Sequence, residues 1–203
     1  HTIKKKFIID ENHIVDDPEG MEGEVLESKV LIVTVSSASL RNIESCLKKC
    51  DLMLEKDGIV LDSIANSEAI PTQEEKDGGV CLIDIGAGVT SYSVFHDEGI
   101  VYNGVISMGG DDITQDIAVA FDTSFEEAKR LKEDYGCAKS SIINNEQFVE
   151  FVQATNKDSH HLSSLQLSEV IEEAYLDILS ILKNELRHHN IETNIKSGFV
   201  LCG

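Results

Sequence analysis

The sequence predicts an α/β fold in two parts, on three observations. Short β-branched and apolar runs alternate with segments of helical periodicity along the chain. A polar, turn-rich stretch, Pro71 to Gly79, marks a change in composition. After it, one apolar strand delivers Asp84 into a Gly-x-Gly turn, with a helical pattern following a second Gly-Gly pair. The expected parts are a small α+β insert, residues 1–62, and a larger half, residues 63–203.

Lys6 to Asp10 reads as a short strand, and Asp16-Asp17-Pro18-Glu19-Gly20 as a turn, because Pro fixes φ and Gly accepts a positive φ. Val25 to Ser36 is a longer, β-branched strand. Ser36 to Cys50 is a helix, capped by Ser39, with Leu40, Ile43, Leu47 and Cys50 on one stripe. Gly58 to Leu61 reads as another strand, Asp62 to Ile70 as a short helix, and Pro71 to Gly79 as a loop. Three strands follow: Val80–Ile85, Thr90–His96 and Ile100–Ser107, with Asp97-Glu98-Gly99 as a hairpin turn. A helix runs from Ile113 to Phe121. The next opens at Ser124 with the Ser-Phe-Glu-Glu capping box. Its buried side is expected at Phe125, Ala128, Leu131 and Tyr135, with Gly136 ending it in a left-handed conformation. Residues 138–163 are polar and poorly patterned. A long helix spans Leu167 to His188, with Val170, Ile171, Ala174, Ile178, Ile181 and Leu182 as its stripe. Ser197 to Cys202 is the last strand.

Composition excludes several classes. Lys and Arg number 17 against 37 Asp and Glu, a net charge of −20, which is the wrong sign for a phosphate-backbone surface. No apolar run approaches the roughly 20 residues that span a bilayer. The five cysteines, Cys46, Cys50, Cys81, Cys137 and Cys202, are odd in number and scattered, which fits a reduced compartment better than a disulfide scaffold. The chain opens at His1 directly into a strand-like run and stops at Gly203 after another, so a fragment of a larger protein is expected.

The stretch Val80-Cys81-Leu82-Ile83-Asp84-Ile85-Gly86-Ala87-Gly88-Val89-Thr90-Ser91 carries the chemistry. Gly86 and Gly88 lack Cβ, so backbone N–H groups can approach phosphate oxygens closely. Thr90 adds a hydroxyl. Asp84 can hold Mg²⁺ through water, since hydrated Mg²⁺ takes only one or two carboxylates. A glycine turn beside a surface Asp would read the same way by itself. The order decides: after the third strand, Gly109-Gly110-Asp111-Asp112 opens a helix and offers a positive end to an anion. A capped loop with Asp111 or Asp112 as N-cap accounts equally well for that second segment alone.

This order, strand–DxGxGxT–strand–turn–strand–GGxx–helix, resembles the second half of the actin, sugar-kinase and heat-shock-chaperone ATPase superfamily. Ser197 to Gly203 resembles the approach to its adenosine motif. Within it the chain most resembles the bacterial FtsA family, over essentially its whole length. Gly20-Met21-Glu22-Gly23 followed by Leu26-Glu27-Ser28-Lys29-Val30 matches that family's inserted subdomain 1C, of SHS2 type. Residues 80–110 and the final helix and strand resemble subdomain 2A. Residues 111–160 resemble 2B, through Asp122 to Ala128 and Tyr135 to Ala138.

The resemblance implies an actin-like, RNase H-like fold and an ATP site with Mg²⁺. Asp84, Gly86, Ala87, Gly88, Val89 and Thr90 would form the phosphate loop, with Asp84 holding Mg²⁺ through water. Gly109 and Gly110 would lie near the nucleotide, Lys132 would approach the adenosine, and Cys202 and Gly203 would begin the adenosine loop. Lys129 stands where an acidic ribose contact is usual in the family. The implied role is a cytoskeletal adaptor on the inner face of the cytoplasmic membrane at the division site. It self-associates into filaments, takes the C-terminal tail of FtsZ on 2B, and meets late division proteins through 1C. Membrane attachment would come from a C-terminal helix absent from this chain, and no nucleic acid is involved. A PilM-type pilus protein shares the insert. An active ATPase or phosphotransferase of the same superfamily, and a scaffold with a vestigial site, are the other readings.

Other residues carry less. Cys46 and Cys50, four apart, read as core packing. His160-His161 and His188-His189 read as solvated pairs and not as metal ligands, and Asp16-Asp17 as turn residues.

Overall fold

The computed structural model describes residues 2–10, 13–15, 17–55, 58–96, 99–144 and 146–203. Contacts divide the chain into two compact units. One comprises 1–82, 93–102 and 194–198, the other 83–92, 103–193 and 199–203.

The first unit opens with β1 (Thr2–Ile9), β2 (His13–Val15) and β3 (Leu26–Ile32), an antiparallel sheet in the order β2-β1-β3. Phe7 pairs with Val15, and Ile9 with Leu26. Asp10 fastens the sheet's corner: its carboxylate accepts from the Glu24 and Val25 amides, both at 2.9 Å. The turn before β3 is as expected at Gly20, which has φ +82°. There Asp17 accepts from the Glu19 amide, while Asp16 lies outside the described residues.

Helix α1 (Ser37–Lys49) corrects two expectations. Ser36 is its N-cap, and Ser39 lies inside it. Its stripe is only partly covered: α1 fully buries no residue, Leu40 and Leu47 are half-buried, Ile43 is 52% exposed, and Cys46 and Cys50 are exposed thiols, not core. Gly58 to Leu61 forms no strand. After α2 (Asp62–Ala69), the expected loop holds a short helix, α3 (Gln73–Gly78). Its polar composition hid a reciprocal cap: Thr72 N–H donates to the Glu75 carboxylate at 2.7 Å, and Glu75 N–H to the Thr72 hydroxyl.

Strands β4 (Val80–Ile85) and β5 (Thr90–His96) have the expected bounds, and β6 runs Gly99–Ile106. With β9 (Gly198–Cys202) they form a sheet ordered β6-β5-β4-β9. The Asp97 and Glu98 positions of the expected hairpin turn lie outside the described residues.

The second unit is built on one apolar cluster. It joins Ile113 and Ile117 of α4 (Gly110–Ala120), Ala128 and Leu131 of α5 (Phe125–Tyr135), and Leu167, Ile171, Ala174 and Ile178 of α6 (Ser164–His188). The poorly patterned segment 138–163 is a further correction. It contains a 3₁₀ turn, Ser140–Ile142, and a hairpin of β7 (Phe148–Val152) with β8 (Ser159–Ser163). Val149, Phe151 and Leu162 complete the cluster from that hairpin. On α5, Phe125 and Tyr135 are exposed, so its buried side is narrower than expected. On α6, Val170 only borders the cluster and Ile181 is exposed, while Leu186 is buried.

Gly136 ends α5 in an extended conformation, φ −68° and ψ 143°, not a left-handed one. A Cβ there would run into the Lys132 carbonyl and Ile171, so packing and not φ selects glycine.

The Arg130 guanidinium anchors α5 to β7. It grips the Glu127 carboxylate at 2.6 and 2.9 Å and donates to the Glu150 carbonyl at 3.0 Å. The hydrogen bond from Arg130 holds the Glu127 carboxyl below its ordinary value. A carboxylate lowered on folding stabilises above its unfolded value and loses that contribution as pH falls through its folded one. Glu127→Gln is therefore expected to cost at most about 1 kcal/mol at neutral pH for this partly exposed pair. In urea unfolding the two proteins should converge as Glu127 protonates; a gap that persists in acid would assign the loss to packing instead.

Candidate functional site

The residues that the sequence singles out lie in the second unit. β4 is apolar and buried up to Ile83, and Asp84 at its end is half-buried. The turn that follows is closed by the Gly86 amide donating to the Val89 carbonyl at 2.9 Å. Ala87, Gly88 and Val89 are exposed. Neither Gly86 nor Gly88 has a positive φ, so their use lies in the missing side chain. A Cβ on Gly88 would meet nothing within 4 Å, which leaves that flank open to a ligand. Among the described residues the Ala87, Gly88 and Val89 amides have no acceptor.

The turn is pinned from behind by α4. Gly110 N–H donates to the Gly86 carbonyl at 2.9 Å, and Asp111 N–H to the Ala87 carbonyl at 2.7 Å. The Asp112 carboxylate caps the helix by accepting from Gly109 N–H at 2.7 Å. The amides of Gly109, Gly110 and Asp111 are thus already committed inside the protein. The positive helix end that the sequence offers to an anion is used to hold the turn.

Gly109 makes this approach possible, since a Cβ there would stand 2.6 Å from the Gly86 and Ala87 carbonyl oxygens. Thr90 acts from the other side. It is fully buried, and its hydroxyl donates to the Met108 carbonyl at 2.9 Å, joining β5 to the chain just before α4.

Lys132 on α5 reaches the same place. Its ammonium donates to the Gly110 carbonyl at 2.5 Å and the Thr114 hydroxyl at 2.6 Å, and that hydroxyl donates to the Gly110 carbonyl at 2.9 Å. Burial pulls the Lys132 pKa below the usual lysine range, opposed by the Asp111 and Glu133 carboxylates. Cys202 lies beside Asp84: burial, then that carboxylate, raises the thiol's pKa. Gly203 has φ +146°, and a Cβ there would collide with the Ile85 backbone, so the end of β9 lies tight against β4.

The structure therefore gathers the expected residues around one turn and adds two that sequence reasoning missed, Thr114 and the Met108 carbonyl. Thr114 carried a signal, since it sits four residues after Gly110 on the helix that the Gly-Gly pair opens. The Met108 contact is to backbone and leaves no mark in side-chain pattern. His160 and His161 lie on β8, with the His160 ring 6.1 Å from Phe151; His188 and His189 close α6 and are exposed. Among the described residues no three His, Cys, Asp or Glu side chains converge as a metal site.

A family model described as cell division protein FtsA matches residues 81–198, more than half of the chain. The chain belongs to the FtsA family. A model for the SHS2 domain inserted in FtsA matches residues 1–34. The FtsA of Pseudomonas aeruginosa is 35% identical over 203 residues, which cover 100% of this chain and 48% of that protein. The FtsA of Bacillus subtilis is 33% identical over 202 residues, 100% of this chain and 45% of that one. The chain thus spans about half the length of the curated relatives it matches.

Solved actin-like structures share the fold. MreB5 of Spiroplasma citri bound to ADP has a TM-score of 0.65 at 18% identity, over 83% of this chain and 54% of that one. The PilM–PilN type IV pilus biogenesis complex has 0.62 at 18%, over 98% and 49%. The MamK filament has 0.57 at 14%, over 83% and 52%. The α/β, actin-like class expected from the strand and glycine order is thus the class of this FtsA-family chain. Among the described residues no helix is long and apolar enough to cross a membrane.

Two glycines of the site should respond oppositely to one methyl group. Gly109→Ala forces the turn off α4 and is expected to cost about 1–3 kcal/mol, as overpacking does, with a matching drop in Tm. Gly88→Ala points into open space and should leave Tm within a degree or two of wild type, about the scatter of a neutral surface change. Equal losses in thermal unfolding would contradict the pinned-turn geometry.

Proposed function

We propose that this chain is the nucleotide-binding second half, with the inserted subdomain, of an actin-like cell-division protein that links the FtsZ ring to the cytoplasmic membrane and recruits later division proteins. The observation that carries the nucleotide reading is the exposed turn at Ala87–Val89. It has an open flank at Gly88, amides without acceptors among the described residues, and a rigid backing of α4. FtsA-family membership supports the division role. MreB5 structures bound to ADP and to AMPPNP support the choice of ligand.

In this reading the Ala87, Gly88 and Val89 amides receive phosphate oxygens, Gly86 shapes the turn, and Thr90 braces it through Met108. Gly109 and Gly110 hold it on α4, and Cys202 and Gly203 lead into the adenosine loop. ATP, when bound, brings a triphosphate whose charge these amides and a hydrated Mg²⁺ balance. Asp84 fits that ion: one half-buried carboxylate at a strand end suits a Mg²⁺ that keeps most of its waters. Residues 1–62 form the 1C insert, which offers a contact to the next copy in a filament and to late division proteins. Residues 63–203 form 2A with 2B at about 111–160, the surface for the FtsZ tail. The protein sits peripherally on the inner face of the cytoplasmic membrane at the division site, attached through a C-terminal helix outside these 203 residues.

The test is ATP binding with Mg²⁺ by the intact protein. Gly88→Val, which keeps the fold but fills the open flank, and Asp84→Ala are each expected to weaken binding by about tenfold or more, the scale of one charge-assisted hydrogen bond. Wild-type protein that binds no ATP would overturn the nucleotide reading and leave a scaffold acting through 1C and 2B.

A further inference from the structure

We propose that Lys132 charges the phosphate turn through two peptide units in series, which makes it a positioning residue for the bound anion. The proposal rests on reading the turn as a phosphate site, and deepens it.

The Gly110 carbonyl accepts from the Lys132 ammonium and the Thr114 hydroxyl. That carbonyl belongs to the peptide unit whose other end is Asp111 N–H. Asp111 N–H donates to the Ala87 carbonyl at 2.7 Å. The Ala87 carbonyl in turn belongs to the unit that ends in Gly88 N–H, an amide with no acceptor among the described residues. The groups stand head to tail: ammonium, peptide, peptide, free N–H. Hydrogen bonds in such a chain polarise one another by roughly 10–30% per bond. A cation at the closed end therefore raises the donor strength of Gly88 N–H at the open end.

Neighbouring geometry agrees. Gly110 N–H donates to the Gly86 carbonyl, whose own peptide unit ends in Ala87 N–H, the adjacent free amide. Among the described residues no carboxylate lies within salt-bridge distance of Lys132, in a chain with 37 acidic side chains. Its ammonium is directed instead at one carbonyl and one hydroxyl. That choice makes sense where the polarity of the peptide behind is the thing being set.

The experiment uses the intact protein without ligand, then with two probes. Labelling with 1-¹³C-alanine and ¹⁵N-glycine reports on Ala87–Gly88, the one Ala-Gly pair in the 203 residues, whose signal in the intact protein is identified by its loss in Gly88→Ala. In Lys132→Met, and in Lys132→Gln should the first variant fold poorly, the Ala87 carbonyl resonance is expected to shift. In wild type that resonance should titrate with Lys132 at alkaline pH, and the titration should vanish in the variant. The charged groups facing Lys132 are Asp111 on α4 and Glu133 and Lys129 on α5. All three remain in both proteins, so the difference between wild type and variant isolates Lys132.

Magnesium ATP and magnesium tripolyphosphate should then weaken by the same factor, about tenfold. An unmoved Ala87 carbonyl would overturn the relay. So would a loss confined to ATP, which would return Lys132 to an adenosine contact. If wild type binds neither probe, the phosphate reading fails, and the ligand-free carbonyl shift still decides the relay.

Discussion

Two backbone hydrogen bonds, from Gly110 and Asp111 to the carbonyls of Gly86 and Ala87, are the constraint on which the site depends. An exposed three-residue turn between two strands would otherwise sample many conformations, and ordering it on a ligand would cost about 1–2 kcal/mol of backbone entropy per residue. Here that ordering is provided by folding. The turns of α4 that follow carry Ile113 and Ile117, both fully buried in the cluster with α5, α6 and the β7–β8 hairpin. The position of the Gly86–Val89 turn is therefore inherited from the apolar core through one helix.

That arrangement explains how so few side chains define the site. The pinning contacts are backbone to backbone, and they require only that residue 109 carry no Cβ and that the turn stay small. A geometry built this way tolerates extensive change elsewhere. MreB5 keeps the fold at 18% identity. The side chains that do take part, Thr90, Asp112, Thr114 and Lys132, each tie off a backbone group near the start of α4.

The legibility of the sequence follows the same physics. β4 and β5 could be read to the residue, because their apolar runs are bounded by a glycine on one side and by the turn on the other. The glycine motif was legible because a missing side chain is visible in sequence. What the amides of α4 bond to was not, since a helix N-terminus looks the same whether its donors face an anion or a neighbouring carbonyl. The β7–β8 hairpin was hidden because the outward face of β7 is mostly apolar: Val149 and Phe151 are buried, while Phe148 and Val152 are exposed with Glu150 between them, so the apolar alternation is blurred. Helix α3 was hidden by loop-like composition, its reciprocal Thr72–Glu75 cap being spelled in residues equally common in turns. Phe125, Tyr135 and Ile181 keep the helical spacing of their stripes, yet they lie at the stripes' edges and are exposed.

The exposed thiols at the end of α1 have a practical consequence for chemical labelling. Cys81 is sealed in β4, and burial pushes its thiol up to about 12, so at neutral pH it presents almost no thiolate to an electrophile. Cys46 and Cys50 are exposed and sit one helical turn apart, with side-chain roots about 5–6 Å from each other. A short bis-alkylating bridge can span them and carry a rigidly held fluorophore or spin label on α1. The chain thus carries its own two-point attachment site for orientation measurements on the first unit, without an introduced cysteine.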